Sequence, residues 1–238
     1  MRVSIDTDAL AFGFPILLHG LVNTILVCCA ATFIGFAAGI PVALARLSRW
    51  SMMRLPVVAF VELMRDTPFL VQAFIIYFGL AELGIRLDAT VAGVLALSLY
   101  ATANFSESIR GAILSVPKGQ FEAARALGIR YFSLIGRIIL PQSLGYLVPA
   151  LTNQIIGIIK DSAALSVITT PEMSMAAQVV VGESFRPVET YAMVAVLYWA
   201  LTTTVVTLMR QVERAPRRIW RSGERAGVDH RLPIEVSE

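Results

Sequence analysis

Residues 11–45 contain no Asp, Glu, Lys or Arg, and this apolar stretch constrains the fold more than any other feature of the chain. A helix of about 20 apolar residues crosses the hydrocarbon core of a bilayer. In lipid, backbone groups are satisfied only in helices or closed barrels, and the period-2 alternation of barrel strands is missing. The stretch therefore predicts a spanning helix. We expect it to be retained as an anchor, because it is longer than the apolar core of a cleaved signal and has no clear cleavage site.

Hydrophobic residues make up 56% of the 238 residues and charged residues 16%, which is too apolar for one soluble domain of this length. Further long apolar stretches follow the first one. We therefore predict an all-α membrane protein with five transmembrane helices. The predicted spans cover residues 14–45, 55–81, 89–114, 138–160 and 189–211.

Arginine placement predicts the orientation of these spans. Arginines cluster after the first, third and fifth spans, and positively charged loops stay in the cytoplasm. This places residues 1–13 outside the cell, and the connecting loop 115–141 and the tail 213–238 inside. The membrane domain is then 14–212. The arginine-rich tail could resemble a nucleic-acid patch, but its juxtamembrane position favours the lipid bilayer as partner, and we predict no nucleic acid.

The loop 115–141 has the composition of a docking module. Glu122 is expected to open a helix, where its negative charge suits the helix dipole. Ala123 and Ala124 allow close approach of another surface, and Gly128 supplies a stop. The segment closes on a short apolar motif that includes Ile138, Leu140 and Pro141.

Polar residues interrupt the second span. Glu62, Arg65 and Asp66 lie on one helical turn, so they could simply pair with each other. The alternative is functional: Thr67 precedes Pro68, whose ring opposes a helical backbone, so a kink or break is expected where the charges cluster. Broken helices with polar groups at membrane depth are typical of transport sites.

Three other spans carry polar groups or small residues. In the third span, Glu107 can pair locally with Arg110, while the buried amide of Asn104 needs a partner. In the fourth, Asn153 lies mid-span, and the helix is expected to end at Lys160 and Asp161 and to break again near Ser162 and Pro171, before a short outer helix. In the first, the spacing of Gly35 and Gly39 permits either dimerisation or packing within the chain.

The sequence lacks the motifs of nucleotide binding, metal binding and nucleophilic catalysis. The chain has no G-x-x-x-x-G-K-[ST] motif, and neither lysine follows a glycine. No His, Cys or Glu cluster has metal-ligand spacing, and no nucleophile can be assembled with a base. We therefore predict no catalytic residue, no metal site and no cofactor bound by this chain.

The spacing E-A-A-x3-G-x9-I-x-L-P runs without a gap from Glu122 to Pro141 and resembles the EAA loop of bacterial ABC importer permeases. The blocks that begin at Arg65 (RDTPFLVQ), Ser115 (SVPKGQ) and Asn153 (NQIIGIIKDSAALSVI) resemble those of the polar amino-acid subfamily, the histidine, glutamine and arginine permeases. The likeness covers about residues 14–209.

The resemblance implies a type I importer permease in the bacterial inner membrane. It also implies partners: a second permease subunit, identical or homologous, a cytoplasmic ABC ATPase that binds ATP and Mg, and an extracytoplasmic substrate-binding protein. The coupling residues carried over are Glu122, Ala123, Ala124, Gly128, Ile138, Leu140 and Pro141. The substrate-pathway candidates are Arg65, Asp66, Thr67, Pro68, Asn104, Glu107, Asn153, Lys160 and Asp161.

Two departures from the family pattern concern the substrate. Asp66 replaces the usual glycine, and Asn104 stands where an aromatic residue is more common. If Asp66 faces the pathway, a cationic or hydroxylated substrate becomes more attractive, whereas a pair between Arg65 and Asp66 would cancel that inference. The predicted cargo is a polar amino acid, and opines and related derivatives remain open.

Two other functions are compatible with a polar membrane protein. An ion-coupled secondary transporter could use Glu62, Asp66 and Glu107, although five spans without a visible repeat argue against it. A membrane scaffold could recruit a soluble partner through the loop without moving a solute, but polar residues in three spans then have no role.

Overall fold

The computed structural model describes the backbone of residues 7–227 and the side chains of 11–130 and 133–212. In this part of the chain all regular structure is helical. The helices are α1 (Thr7–Arg46), α2 (Ser51–Asp66), α3 (Phe69–Glu82), α4 (Ala89–Leu114), α5 (Lys118–Ala126), α6 (Leu140–Asp161), α7 (Met173–Ser184) and α8 (Pro187–Gly227). The tail arginines beyond residue 213 lie outside the described side chains.

Three described helices are long and apolar enough to cross a bilayer: Ala11–Arg46 of α1, α4, and Pro187–Val212 of α8. A fourth span is possible if Ile135–Ile168 and α7, which are bent by 52° at their junction, count as one. The predicted span 55–81 is not one helix, since α2 ends before Thr67 and α3 begins at Phe69. The count of five and the orientation therefore stay predictions.

Two π-helical turns lie within the helices. Ile75–Gly79 lies inside α3, and Ile135–Ile139 joins the short helix Tyr131–Leu134 to α6. Such single wide turns are often found at functional sites. Here one follows the break of the second predicted span, and the other lies in the predicted docking loop.

α1 packs closely along α4 because two glycines remove side chains from the contact. A Cβ on Gly35 would lie 2.5 Å from the Cβ of Ala101, and one on Gly39 would lie 3.1 Å from the Cβ of Phe105. The small-residue spacing of α1 thus serves packing within the chain, which was one of the two alternatives.

The main core lies between α1, α3, α4 and α6. It includes the fully or almost fully buried Ala31, Ala96, Leu97, Phe105 and Ile158. A second cluster joins α1, α7 and α8, and a separate small cluster lies under α5. The loop helix therefore has a core of its own.

The end of the fourth predicted span breaks as expected. α6 ends at Asp161, and a 3-10 helix continues over Ser162–Ile168. The chain then turns through Thr169, which has a left-handed backbone with φ 61°, before α7 begins at Met173. We call residues 169–172, between the two helices, the elbow.

Candidate functional site

The coupling candidates Glu122, Ala123 and Ala124 lie in the short helix α5, and Gly128 follows its end. α5 begins at Lys118 after Pro117, so the expectation that Glu122 opens the helix is wrong. Glu122 lies in the middle of α5 instead. Proline fits this position because its φ of −56° suits a helix start and it has no N–H to satisfy.

The predicted stop of this helix is confirmed. Gly128 has φ 66°, and the N–H of Ile129 donates to the carbonyl of Ala124 at 2.9 Å across the turn. This left-handed closure satisfies a carbonyl at the helix end and favours glycine. The direction in which the chain leaves α5 therefore depends on Gly128.

α5 has one buried face and one free face. Ala124 is 3% exposed and packs with Val116, Leu134 and Ile139. Glu122, Ala123 and Gly128 are exposed. Ala124 therefore anchors the helix from below, while its two motif neighbours are available to another molecule.

The closing motif lies where the π turn meets α6. Ile138 packs at the edge of the cluster under α5, whereas Leu140 is exposed. Pro141 lies in the first turn of α6, where a missing N–H costs nothing. α5 and the segment around Ile138 thus pack in the same small core.

The break at Thr67 and Pro68 confirms the expected effect of the proline. Gln72 closes this break from α3: its amide N–H groups donate to the carbonyls of Met64 at 2.7 Å and of Thr67 at 3.1 Å, and to the Thr67 hydroxyl at 2.8 Å. Pro68 itself is exposed. A buried side chain thus replaces the backbone bonds that the proline removes.

Charges near the break do not pair locally as one alternative had it. Arg65 lies 3.8 Å from Glu107 of α4, and no salt bridge joins it to Glu62 or Asp66. Asp66 is exposed. The charge of Asp66 is therefore not cancelled by an ion pair with Arg65.

Glu107 is surrounded by arginines from three helices. Its carboxylate pairs with Arg110, as expected, at 2.5 Å, and also with Arg46 from the end of α1. Arg65 of α2 approaches the same carboxylate. We call Glu107 and these three arginines the Glu107 cluster.

A second polar group surrounds Tyr100, which sequence reasoning missed. Asp161 of α6 and Arg65 of α2 lie near enough to the Tyr100 hydroxyl to act on it electrostatically. The Asn104 side chain also donates to the Tyr100 carbonyl at 3.0 Å, which provides the partner that this buried amide requires. Tyr100 lies four residues before Asn104 on the same helix, and this spacing is the sequence feature that could have identified it as a partner of Asn104.

The structure therefore connects several of the pathway candidates. Arg65 lies 3.8 Å from Glu107 and also acts electrostatically on the Tyr100 hydroxyl, as Asp161 does. Among the described residues no hydrogen bond or ion pair joins Asn153 or Lys160 to them, and both side chains are exposed.

A buried carboxylate in the elbow begins the short outer helix, as the sequence predicts for Glu172, and its contact with α8 is the part that the sequence did not indicate. Glu172 is 0% exposed and accepts hydrogen bonds from the N–H groups of Ser174 and Met175 at the start of α7 and from the Tyr198 hydroxyl of α8. The adjacent N–H of Met173 donates to the Thr24 hydroxyl of α1. The elbow is thus fixed to two long helices.

The comparisons identify the family. The pattern described as "Binding-protein-dependent transport system inner membrane component" matches residues 31–218. The chain belongs to this family, and it is accordingly a multi-pass membrane permease subunit rather than an enzyme.

Curated relatives match over most of their length. The chain is 35% identical over 202 residues to YckA of Bacillus subtilis, a probable amino-acid ABC transporter permease, with 85% of this chain and 89% of the relative covered. It is 34% identical over 218 residues to NocM of Agrobacterium fabrum, a nopaline transport system permease, with 87% and 90% covered.

Solved structures agree with this assignment. A crystal structure of an amino acid ABC transporter with histidines matches with a TM-score of 0.84 at 33% identity, covering 89% of this chain and 99% of that one. The MetNI methionine ABC transporter, in an inward-facing conformation, matches with a TM-score of 0.72 at 23% identity, covering 84% and 96%. The second likeness concerns the fold alone. The fold is that of a type I ABC importer permease.

Proposed function

We propose that this chain is the permease subunit of an ATP-driven importer of a polar amino acid or amino-acid derivative. It couples to a separate cytoplasmic ATPase through the loop 115–141. The observation that carries the proposal is the free face of α5, a short helix with its own small core and an exposed charged and apolar surface.

The surface of α5 suits a protein groove. Glu122 and Arg125 are exposed on it, and Leu127 just past its end is 77% exposed. An apolar side chain flanked by charges suits a groove on another protein that is complementary to it in both shape and charge. Because Ala124 fixes the helix from beneath, force applied to the free face passes to the π turn and to α6.

The cargo site in this proposal is the polar group around Tyr100. Asp161 carries a carboxylate and Arg65 a guanidinium, and both act electrostatically on the Tyr100 hydroxyl. Polar and ionisable groups in membrane helices are costly and generally functional. This pair of opposite charges complements the ammonium and carboxylate of an amino acid.

The remaining assignments follow from the family. A second permease subunit, identical or homologous, completes the pathway, and a binding protein delivers cargo to the outer face. ATP and Mg bind the ATPase, so this chain needs no cofactor. Loop arginines favour an orientation in the bacterial inner membrane with α5 in the cytoplasm.

The experiment is reconstituted uptake of labelled amino acids in proteoliposomes that contain the permease, its ATPase and its binding protein. Glu122→Arg reverses the charge on the free face of α5 and is expected to abolish ATP-driven uptake while the protein remains inserted. Glu82→Arg makes the same change at an exposed position at the end of α3 and serves as the matched control.

Two results would overturn the proposal. Uptake that survives Glu122→Arg unchanged would remove the coupling role of α5. Uptake that is driven by a proton gradient and is insensitive to vanadate would favour the ion-coupled secondary transporter instead.

A further inference from the structure

We propose that an apolar groove between α1, α4, α6 and α8 binds one acyl chain of an anionic phospholipid, with the phosphate of that lipid beside Arg210. The groove is a partly open cavity of about 430 Å³. This volume lies within the range of about 300–1,000 Å³ that is usual for ligand pockets. The lipid site is separate from the polar groups described above and does not depend on the identity of the cargo.

The lining of the groove is almost wholly apolar. Thr32 of α1 carries the only hydroxyl group among the described lining residues, and none of the predicted substrate-pathway residues is one of them. A buried water needs about two to four polar partners. A polar amino acid likewise needs partners for its ammonium and carboxylate groups. The groove therefore suits a hydrocarbon rather than water or the predicted cargo.

The surface beside the groove is apolar as well. Leu26 and Leu208, next to lining residues of α1 and α8, are 62% and 57% exposed, and Phe33 in the lining itself is 76% exposed. Both helices are long and apolar enough to cross a bilayer. The opening of the groove therefore faces the acyl chains of the membrane.

The dimensions of the groove favour a thin occupant. On α1 the lining runs from Ile25 to Phe36, about 16 Å along the helix, and on α8 from Leu201 to Met209, about 12 Å. A helix about 10 Å across would need roughly 1,200 Å³ over the longer of these lengths, which is almost three times the volume of the groove. An extended hydrocarbon chain is far thinner. A lipid chain therefore fits the groove, and a helix from a second copy of this chain does not.

One end of the groove carries a positive charge for the phosphate. Met209 lines that end, and Arg210 follows it on α8 with an exposed side chain. Among the described residues Arg210 forms no ion pair. The long stem of an arginine can lie along an apolar surface while its guanidinium reaches a headgroup. The predicted orientation puts this end at the cytoplasmic leaflet, where anionic lipids attract arginine. The ligand in this proposal is therefore an anionic phospholipid of the inner leaflet.

The test is native mass spectrometry of the full-length protein, released from nanodiscs that contain equal amounts of phosphatidylglycerol and phosphatidylethanolamine. The measurement counts both the phospholipids retained by each permease chain and the permease chains in the assembly. We expect one retained phospholipid per chain, with phosphatidylglycerol preferred.

Filling the groove should expel the lipid. Cys29→Trp places a ring in the groove from α1, and Val205→Trp does so from α8. Both variants should lose the retained phospholipid while the number of permease chains stays the same. Leu26→Trp adds the same ring at an exposed position of α1 that does not line the groove, and it should keep the lipid. A thermal melt of each variant establishes that it is folded.

The phosphate contact has a variant of its own. Arg210→Gln should lower the retention of phosphatidylglycerol relative to phosphatidylethanolamine about fivefold, which is the factor expected for one arginine near anionic lipid. Arg54→Gln, at an exposed position near the start of α2, is the matched control and should leave this ratio unchanged.

Three results would overturn the proposal. Full retention of phospholipid in both folded tryptophan variants, or an equal loss in Leu26→Trp, would show that the lipid does not bind in the groove. A different number of permease chains in the assembly of Cys29→Trp would assign the groove to a contact between subunits. An unchanged ratio of the two lipids in Arg210→Gln would overturn the placement of the phosphate.

Discussion

The Tyr198 hydroxyl of α8 donates a hydrogen bond of 3.2 Å to the Glu172 carboxylate in the elbow. The same carboxylate caps α7 through two N–H groups at 2.7 and 2.8 Å. Glu172, which caps α7, therefore also links α7 to the long helix α8. The elbow is held by side chains that lie 26 residues apart in sequence.

Glu172→Ala should destabilise the protein by about 1–2 kcal/mol, because it uncaps α7 and leaves buried donors without acceptors. Tyr198→Phe should cost less, about 1 kcal/mol, since only one hydrogen bond is lost. Thermal unfolding in detergent measures both. Glu183→Ala removes an exposed carboxylate from the same helix and should leave the melting temperature almost unchanged. Equal effects of the two glutamate changes would contradict the role of the elbow.

Gly35→Ala should destabilise the packing of α1 on α4 by about 1–3 kcal/mol, since the added methyl would lie 2.5 Å from the Cβ of Ala101. Gly111→Ala lies on α4 with nothing within 4 Å of the new Cβ. It should stabilise the protein by about 0.5–1 kcal/mol through helix propensity. We expect Gly35→Ala to lower the melting temperature and Gly111→Ala to raise it. An unchanged melting temperature for Gly35→Ala would show that the contact is looser than described.

Gly128→Ala forces an L residue into a left-handed backbone, at a cost of about 1–2 kcal/mol. Gly84→Ala imposes the same strain, since Gly84 has φ 85° and is also free of neighbours within 4 Å. Both should lower the melting temperature, but only Gly128→Ala should reduce ATP-driven uptake several-fold, because only it redirects the chain leaving α5. A similar loss of uptake in both variants would indicate a general stability effect.

Asp88 caps α4 by accepting a 2.8 Å hydrogen bond from the N–H of Thr90, and this bond lowers the pKa of its carboxyl group. A lowered pKa in the folded state means that the stabilisation is present above the unfolded pKa of about 3.9 and is lost as the pH falls through the folded value. Asp88→Ala should therefore lower the melting temperature at pH 7, and the difference from the unaltered protein should narrow below about pH 4. Asp88→Ser keeps an acceptor and should retain most of the stability at both pH values. A difference that does not change with pH would argue against the charged cap.

Local chemistry in the sequence was enough to predict several features. Proline rules placed the break at Pro68, and a glycine after an Ala-rich run placed the end of α5 at Gly128. The lengths of the apolar stretches predicted α1, α4 and α8. In each case the cause lies within a few residues of its effect.

Contacts between distant helices could not be predicted in this way. The pair between Glu107 and Arg110 follows from helical spacing, but Arg46 reaches the same carboxylate across 61 residues. Tyr198 and Glu172 likewise meet only after two helices have packed. α5 begins at Lys118 and not at Glu122 for a different reason: the geometry of Pro117 sets the start of the helix, and the interaction of the Glu122 charge with the helix dipole does not.

The capped break at Thr67 and Pro68 also bears on ion leakage. Unwound carbonyl oxygens at membrane depth are the ligands with which secondary transporters strip water from sodium. Here the Gln72 amide already donates to the carbonyls of Met64 and Thr67. The break therefore offers a bare alkali cation fewer open backbone carbonyls than an uncapped break would.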